Sequence, residues 1–284
     1  MLSEIIYALF IFSIWNKFRL YWNKSHYKLL TKVRSGAEPF FFKKGKTGVL
    51  LIHGYTSSAY DTKFLGKYLA KKNISALGVL LKGHGTCPEN MTTTNLNDWL
   101  RSAEKALLKL RKHCNKVILA GDSFGGNLSL ILATKYKVDG IVTMGTPIIG
   151  KNKFLTLFQF MLYYPFINFK KKWYHKTLDK KIIEHRSTYK YIPINNLFEL
   201  AKGIKLSKKA IKKVTYPILI MQSTTDFGVD EKSVDYIFQN VKSKYKKVHW
   251  VKNAYHVFIV DRNREKSFKV IFDFVKKISS LKKK

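Results

Sequence analysis

The chain has 284 residues, which is enough for one large α/β domain or two small ones, and 46% of them are hydrophobic, which supports a substantial core. It carries 53 lysine and arginine residues against 18 aspartate and glutamate residues, a formal net charge of +35. Such a charge suggests an acidic partner, but the lysines do not form one basic tract interleaved with aromatic residues, and no nucleic-acid-binding motif is present. We therefore interpret the charge as a compositional bias of the genome, and we expect no nucleic acid as a partner.

The apolar run of residues 5–15 is shorter than the roughly 20 residues that a membrane-spanning helix needs. It lacks the basic start and the cleavage site of a signal peptide. The aromatic and basic residues that follow are typical of a membrane interface; they are Trp15, Lys17, Arg19, Tyr21, Trp22 and Lys24. Residues 1–34 therefore have two main interpretations, an anchor on an anionic membrane surface and a helix packed on the domain. A marginal single span is a third.

Short apolar runs alternate with amphipathic stretches along most of the chain. The predicted strands are 40–42, 49–52, 74–81, 116–120, 139–145, 216–221 and 247–251, and the predicted helices are 61–72, 96–113, 127–133, 231–241 and 262–278. Asn95 and Asp98 form an N-cap pair for the second of these helices. The alternation predicts a mostly parallel central sheet with helices on both faces.

This alternation breaks between Ile149 and about Lys213, where the sequence is helical in character. We interpret residues 150–213 as a helical cap insertion in a domain that spans 35–284. Four apolar residues recur there at steps of three and four and are candidates to contact a substrate; they are Phe154, Phe158, Met161 and Leu162. The alternative is that they form the internal packing of the insertion.

The hexapeptide Gly121–Gly126 reads G-D-S-F-G-G and lies between a buried strand and a helix. In that context, G-x-S-x-G indicates a nucleophile elbow, a turn so sharp that glycines must replace bulkier neighbours. Ser123 would stand at the tip of the turn with its hydroxyl exposed. The N-terminus of the next helix would favour negative charge beside it.

A serine nucleophile needs a base and an orienting acid, which follow in the order Ser, Asp or Glu, His along an α/β-hydrolase chain. Asp226 and His256 occur in that order, each just after a predicted strand, so all three would meet at one edge of a parallel sheet. Other candidates have simpler interpretations. Asp230 and Asp261 lie at helix starts and His249 lies within a strand.

His53-Gly54-Tyr55 ends the first central strand, where a second oxyanion donor of such folds arises. The predicted hole consists of the backbone N–H groups of Tyr55 and Phe124. We expect structural roles for the side chains of His53 and His84, with a direct role for His84 as the alternative.

No His, Cys, Asp and Glu cluster has the spacing of a metal site, so we expect no metal and no cofactor. Cys87 and Cys114 form no disulfide framework, which is typical of a reducing compartment. The expected location is therefore cytoplasmic, with membrane association left open by residues 1–34.

Several further segments accompany the elbow and the two triad candidates. They are Pro39–Phe42, Leu50–Tyr55, Lys82–Gly85, Asp98–Trp99, Gly140–Met144, Gln222–Asp226 and His256–Val257. Together they resemble the bacterial carboxylesterase and monoacylglycerol lipase group of the α/β-hydrolase superfamily over about residues 37–277, except the insertion. Two positions depart from the pattern: Tyr55 stands where phenylalanine is usual, and Tyr255 where glycine commonly precedes the histidine.

The resemblance implies a serine esterase with a small cap and a pocket for short or medium acyl chains. It implies Ser123, Asp226 and His256 as the triad, and main-chain donors at Tyr55 and Phe124. We expect hydrolysis of carboxylic esters or monoacylglycerol through an acyl-enzyme. The alternatives are a thioesterase or acyltransferase that uses the same triad, and a non-catalytic membrane-associated protein that binds lipid.

Overall fold

The computed structural model describes Ile14 and residues 30–150, 169–171, 186 and 188–281. The strands are β1 (Phe40–Phe42), β2 (Thr47–Ile52), β3 (Ser75–Gly78), β4 (Lys116–Asp122), β5 (Gly140–Met144), β6 (Phe169–Lys171), β7 (Tyr191–Pro193), β8 (Ile218–Ser223) and β9 (Lys246–Val251). The helices are α1 (Tyr60–Lys71), α2 (Pro88–Thr92), α3 (Leu96–Arg111), α4 (Phe124–Leu132), α5 (Ile194–Ile211), α6 (Lys232–Asn240) and α7 (Arg264–Ser280). A short 3₁₀ helix spans Phe258–Val260.

Within these residues, seven strands form one sheet in the order β1-β3-β2-β4-β5-β8-β9. The edge strand β1 is antiparallel to β3, and every other neighbouring pair is parallel. The chain builds the sheet outward from β2 to β3, then returns to the other side of β2 with β4. This reversal puts the loops after β2 and β4 side by side at the carboxyl edge, where open α/β sheets bind their ligands.

Each central strand is buried on both faces, so its side chains alternate between two cores. In β2, Leu50 and Ile52 face one core, and Val49 and Leu51 face the other. The first core is covered by α3, α4, α5 and α6, and the second by α1, α7 and the 3₁₀ helix. The predicted sheet with helices on both faces is therefore confirmed.

The predicted cap pair at the start of α3 is present as a reciprocal capping box. Asp98 N–H donates to Asn95 Oδ1 at 3.1 Å, and Asn95 N–H donates to Asp98 Oδ2 at 3.2 Å. Asp98 also pairs with Lys82 at 3.1 Å and Arg101 at 2.8 Å. These bonds fix the direction in which α3 leaves the loop beside the site.

The sequence predicted a helical insertion, but its described part also contains two strands. β6 and β7 form a two-stranded antiparallel sheet, and only α5 is a long helix. The substrate-contact candidates of the sequence analysis, Phe154, Phe158, Met161 and Leu162, lie outside the described residues.

Most of residues 1–34 also lies outside the described part of the chain, but its end contacts the domain. Leu30 exchanges two hydrogen bonds with the side chain of Asn90, and Arg34 N–H donates to Gly85 O at 2.8 Å. Among the described residues, we find no helix that combines the length and the apolar character needed to cross a membrane.

Candidate active site

Ser123 lies in a sharp turn between β4 and α4. Its backbone has φ 51° and ψ −121°, in the left-handed half of conformational space that non-glycine residues rarely adopt. The turn is held by Ser123 N–H, which donates to Met144 O at 2.7 Å. A side chain at Gly121 would collide with the backbone of Gly125, and one at Gly125 would collide with Ile52 O. The G-x-S-x-G spacing is therefore a steric requirement of this turn.

The structure brings together the three side chains that the sequence analysis selected. His256 Nε2 lies 2.9 Å from Ser123 Oγ, and His256 Nδ1 lies 2.7 Å from Asp226 Oδ2. Ser123 follows β4, Asp226 follows β8, and His256 follows β9, all at the carboxyl edge of the sheet. This is the geometry in which a serine can transfer its proton to an imidazole.

The Asp226 carboxylate is almost fully buried, but it accepts several hydrogen bonds from the protein. Burial by itself raises its pKa, but the hydrogen bond from His256 and its charge, then the amides of Val229 and Gly228, outweigh burial. The pKa of Asp226 therefore lies below its ordinary value, and the group is an anion at neutral pH. The two amides donate to Asp226 Oδ1 at 3.0 and 2.9 Å, which leaves Oδ2 for the imidazole.

The other acids near this edge make different contacts. Asp230 Oδ1 accepts from Lys232 N–H at 2.9 Å, at the start of α6. The sequence suggested that Asp261 caps the last helix. It does not, because α7 begins at Arg264 and its N-cap residue is Asn263. Asp261 Oδ2 instead accepts from Tyr255 N–H at 3.1 Å. Asp261 thus fixes the backbone N–H of Tyr255, the residue before His256.

The backbone donors expected for an oxyanion lie beside Ser123. A Cβ atom added to Gly54 would lie 3.1 Å from Ser123 Cβ, so the loop after β2 directly approaches the serine. Phe124 is the first residue of α4, where helix N–H groups have no partner in the helix. Among the described residues, neither the Tyr55 nor the Phe124 N–H has a hydrogen-bond acceptor. Two backbone donors are therefore available at the nucleophile.

The two predicted structural histidines are buried beside the Tyr55 loop. Leu81 N–H donates to His53 Nε2 at 3.2 Å, so the proton of His53 is on Nδ1 and bonds Gly54 O at 2.9 Å. Burial lowers the pKa of His53 to about 4. Burial also places the pKa of His84 well below its usual value, and its ring stacks on Tyr189. Both rings are neutral and support the loop.

Asp122, the residue before the serine, is one that the sequence analysis passed over. It is buried, and neither carboxyl oxygen has a hydrogen-bond partner among the described residues. Burial raises its pKa to about 7. The alternation of side chains along β4 could have predicted its burial. Ile118 and Ala120 face the core covered by α1 and α7, and Asp122, two residues further on, points to the same face of the sheet.

A second missed residue is Phe227, which directly follows Asp226. Its ring centroid lies 6.2 Å from that of His256 in an edge contact, and its side chain is 39% exposed. An accessible aromatic ring beside the imidazole is a candidate to contact the ester. In the parts of the chain that the structure describes, no group of three or more His, Cys, Asp or Glu side chains could hold a metal ion.

Comparison with known proteins agrees with this fold. The family described as serine aminopeptidase, S33 (Hydrolase_4) matches residues 43–263. A thermostable monoacylglycerol lipase of Bacillus sp. (strain H-257) is 31% identical over 242 residues, covering 81% of this chain and 90% of the relative. A carboxylesterase of Bacillus subtilis (strain 168) is 28% identical over 242 residues, covering 85% and 97%.

Solved structures show the same fold at lower sequence identity. A structure from a study of LipS and LipT, two metagenome-derived lipolytic enzymes, has a TM-score of 0.79 at 23% identity and covers 87% of this chain and all of its own. The monoacylglycerol lipase of Paleococcus ferrophilus has a TM-score of 0.71 at 16% identity and covers 85% of this chain and 98% of its own. The resemblance inferred from the motifs is confirmed, and with it the enzyme class, carboxylic ester hydrolase. The chain belongs to the Hydrolase_4 family, in the carboxylesterase and monoacylglycerol lipase group of the α/β-hydrolases.

Proposed function

We propose that this protein hydrolyses carboxylic esters through an acyl-enzyme formed on Ser123. The observation that carries the proposal is the connected set Ser123–His256–Asp226, with contacts of 2.9 and 2.7 Å at a strained elbow. A non-glycine residue keeps such a backbone only where its surroundings impose it. The turn holds the Ser123 hydroxyl 2.9 Å from the imidazole, and this function accounts for the strain.

In the proposed mechanism, Ser123 Oγ attacks the ester carbonyl while His256 Nε2 takes the hydroxyl proton. Asp226 keeps the Nδ1 proton on the ring and stabilises the imidazolium. The N–H groups of Tyr55 and Phe124 bind the oxyanion of the tetrahedral intermediate. The imidazolium then gives its proton to the alkoxide, and the alcohol leaves. A water molecule, deprotonated by His256, attacks the acyl-enzyme and releases the acid.

The proposed substrates are esters with short or medium acyl chains, including monoacylglycerols. The names of the two Bacillus relatives support this class, and so does the exposed Phe227 ring beside the imidazole. Contact of the acyl chain with Phe154, Phe158, Met161 and Leu162 stays a prediction.

The test is hydrolysis of p-nitrophenyl esters and monoacylglycerols of graded chain length, with labelling by a fluorophosphonate. We expect the wild-type protein to turn over esters and take up the label. Ser123→Ala should abolish both, because it removes the hydroxyl on which the acyl-enzyme is proposed to form, and should keep the same circular dichroism spectrum.

Equal hydrolysis by a folded Ser123→Ala variant would contradict the nucleophile. A wild-type protein that neither hydrolyses nor takes up label would favour the alternative of a lipid-binding protein. Product analysis with an added alcohol or with an acyl thioester separates ester hydrolysis from acyl transfer and thioester cleavage.

Membrane attachment is a separate part of the proposal. An apolar run flanked by aromatic and basic residues supports an anchor at an anionic surface, since apolar burial and lysine attraction add together. Deletion of residues 1–29 preserves the contacts of Leu30 and Arg34 with the domain. It should weaken co-sedimentation with phosphatidylserine vesicles and leave turnover of a soluble ester unchanged. Equal sedimentation with lower solubility would favour a helix packed on the domain.

A further inference from the structure

The loop that carries Tyr55 is itself strained. Thr56, the next residue, has φ 62°, a left-handed conformation that a β-branched residue rarely adopts. Ser57 N–H donates to Gly54 O at 3.2 Å and closes a tight turn around Tyr55 and Thr56. The direction of the Tyr55 N–H depends on this turn. Some neighbouring structure must therefore hold Thr56 in its strained state.

That structure is the return of the insertion to the domain, the segment of residues 186–189, which is described except for residue 187. Thr188 Oγ1 and Tyr189 N–H both donate to Thr56 O, each at 3.0 Å. Tyr189 is itself fixed, because its hydroxyl donates to Gly83 O at 2.9 Å and accepts from Thr86 N–H at 2.9 Å. The carbonyl of the strained residue is thus held by two donors from a rigid partner.

An ion pair between Arg186 and Asp61 fixes the other end of the turn. Arg186 Nε donates to Asp61 Oδ1 at 2.9 Å and Nη2 to Oδ2 at 2.5 Å, a bidentate pair whose side chains are 6% and 1% exposed. Ser57 Oγ donates to the same carboxylate. A buried bidentate pair fixes position more strictly than a single contact, because both oxygens and both nitrogens must align.

We propose that Arg186 and Thr188 are positioning residues for the reaction, holding the loop of residues 53–58 so that the Tyr55 N–H points at the oxyanion. The inference rests on the proposed ester hydrolysis and names residues of the insertion on which it depends. These residues act through the loop, not through the substrate. Their loss should therefore weaken binding of the tetrahedral transition state and leave binding of the ester ground state intact.

The first test uses Thr188→Val, which keeps the shape of the side chain and removes only its hydroxyl. We expect kcat for a short p-nitrophenyl ester to fall about tenfold, with KM changed less than about twofold. Affinity for a trifluoromethyl ketone should fall by the same factor as kcat, because its adduct with serine places an oxyanion in the hole. Arg186→Lys keeps the charge but loses the fork, and should show the same pattern.

Asn195→Ala provides the matched control. Asn195 also lies in the insertion and is buried, and its side chain donates to a backbone carbonyl, Thr92 O at 3.1 Å, and not to the carbonyl of Thr56 or the carboxylate of Asp61. Its loss should lower thermal stability and leave both kcat and ketone affinity at the wild-type values.

The inference is overturned if Thr188→Val and Arg186→Lys lower stability as Asn195→Ala does, while kcat and ketone affinity stay at the wild-type values. It is also overturned if kcat falls but ketone affinity does not, because the defect then lies outside the oxyanion hole. A wild-type protein with neither hydrolysis nor labelling overturns the proposed function, and this inference with it.

Discussion

The two edges of the central sheet differ in how their polar groups and backbone are arranged. At the carboxyl edge, Thr56 and Ser123 have positive φ, which their residue types rarely adopt, whereas the positive φ of Asn73 at the amino edge is common for asparagine. The buried carboxyl of Asp122, also at the carboxyl edge, has no hydrogen-bond partner among the described residues. At the amino edge there is a cavity of about 610 Å³, large enough for a small ligand. The edge with the strain and the edge with this cavity are therefore opposite ends of the molecule.

The polar groups around the amino-edge cavity are already used by the fold. Lys116 Nζ donates to Ile278 O at 3.2 Å and Ser279 O at 2.6 Å, at the end of α7. Asp139 Oδ2 accepts from Val117 N–H at 2.7 Å, and the guanidinium of Arg111 donates to Lys137 O. These contacts satisfy backbone groups at the ends of helices and strands, and they therefore stabilise the fold.

The difference shows which observations indicate chemistry. Strained backbone at Thr56 and Ser123 and a buried acid with a raised pKa at Asp122 distinguish the carboxyl edge, and both features are typical of sites of chemistry. Strain and unpaired buried groups both lower stability, so they remain where something other than stability requires them. On this reasoning, changes at the carboxyl edge should alter turnover, and changes at the amino edge should alter only stability.

The largest effect expected in this comparison concerns the acid and the base. His256→Ala removes the proton acceptor, and Asp226→Asn leaves the imidazole in the wrong tautomer, so each should lower kcat about 10⁴-fold. Asp230→Asn is the matched control, because it changes the same charge four residues away at the start of α6. The measurement is kcat on one soluble ester. The acid is misassigned if Asp230→Asn is the damaging change and Asp226→Asn is harmless.

The sequence predicted the parallel sheet and the convergence of Ser123, Asp226 and His256 for one reason. Buried strands are continuous apolar runs, and in a parallel sheet the loop after each of them lies at one edge. The order of strands and loops therefore brings these residues together without any knowledge of side-chain packing. Capping residues such as Asn95 and Asp98 contact each other within one helical turn, so the local sequence also predicted them.

Contacts between distant segments could not be read in this way. Arg186 lies 125 residues from Asp61, and Thr188 lies 132 residues from Thr56. Neither residue belongs to a periodic element, so no local pattern predicts its partner. The role of Asp261 was missed for the opposite reason. Its position just before a helix favoured a cap, whereas in the folded chain its carboxylate accepts a hydrogen bond from the N–H of Tyr255, the residue before His256.

A smaller effect is expected for Asp122, as a change of stability with pH. Burial raises its pKa from 3.8 to about 7, so the folded protein binds a proton that the unfolded chain releases. Its contribution to stability is therefore complete below about pH 4 and is lost as the pH rises to about 7, by up to about 4 kcal/mol.

Asp122→Asn should remove this slope, so that the variant gains stability relative to the wild type between pH 5 and pH 7. Urea unfolding at each pH is the measurement, with Asp273→Asn on the exposed face of α7 as control. The charged groups that act on Asp122 are present in both proteins; they are His256, Asp61, Arg186 and Asp226. Parallel curves for wild type and Asp122→Asn would mean that Asp122 is already ionised in the folded protein.

The smallest effect is expected at the amino edge. Lys116→Met keeps the length of the side chain but removes the ammonium that binds the last carbonyls of α7. The loss should be about 1 kcal/mol, or roughly 2 °C in the melting temperature, because part of this charge is exposed and water can replace it. Hydrolysis of a soluble ester should stay within about twofold of wild type. Lys269→Met, which breaks an exposed pair with Asp273 on the same helix, should change neither quantity. A loss of turnover in Lys116→Met at unchanged stability would make the amino edge part of the functional site, and the contrast between the two edges would no longer hold.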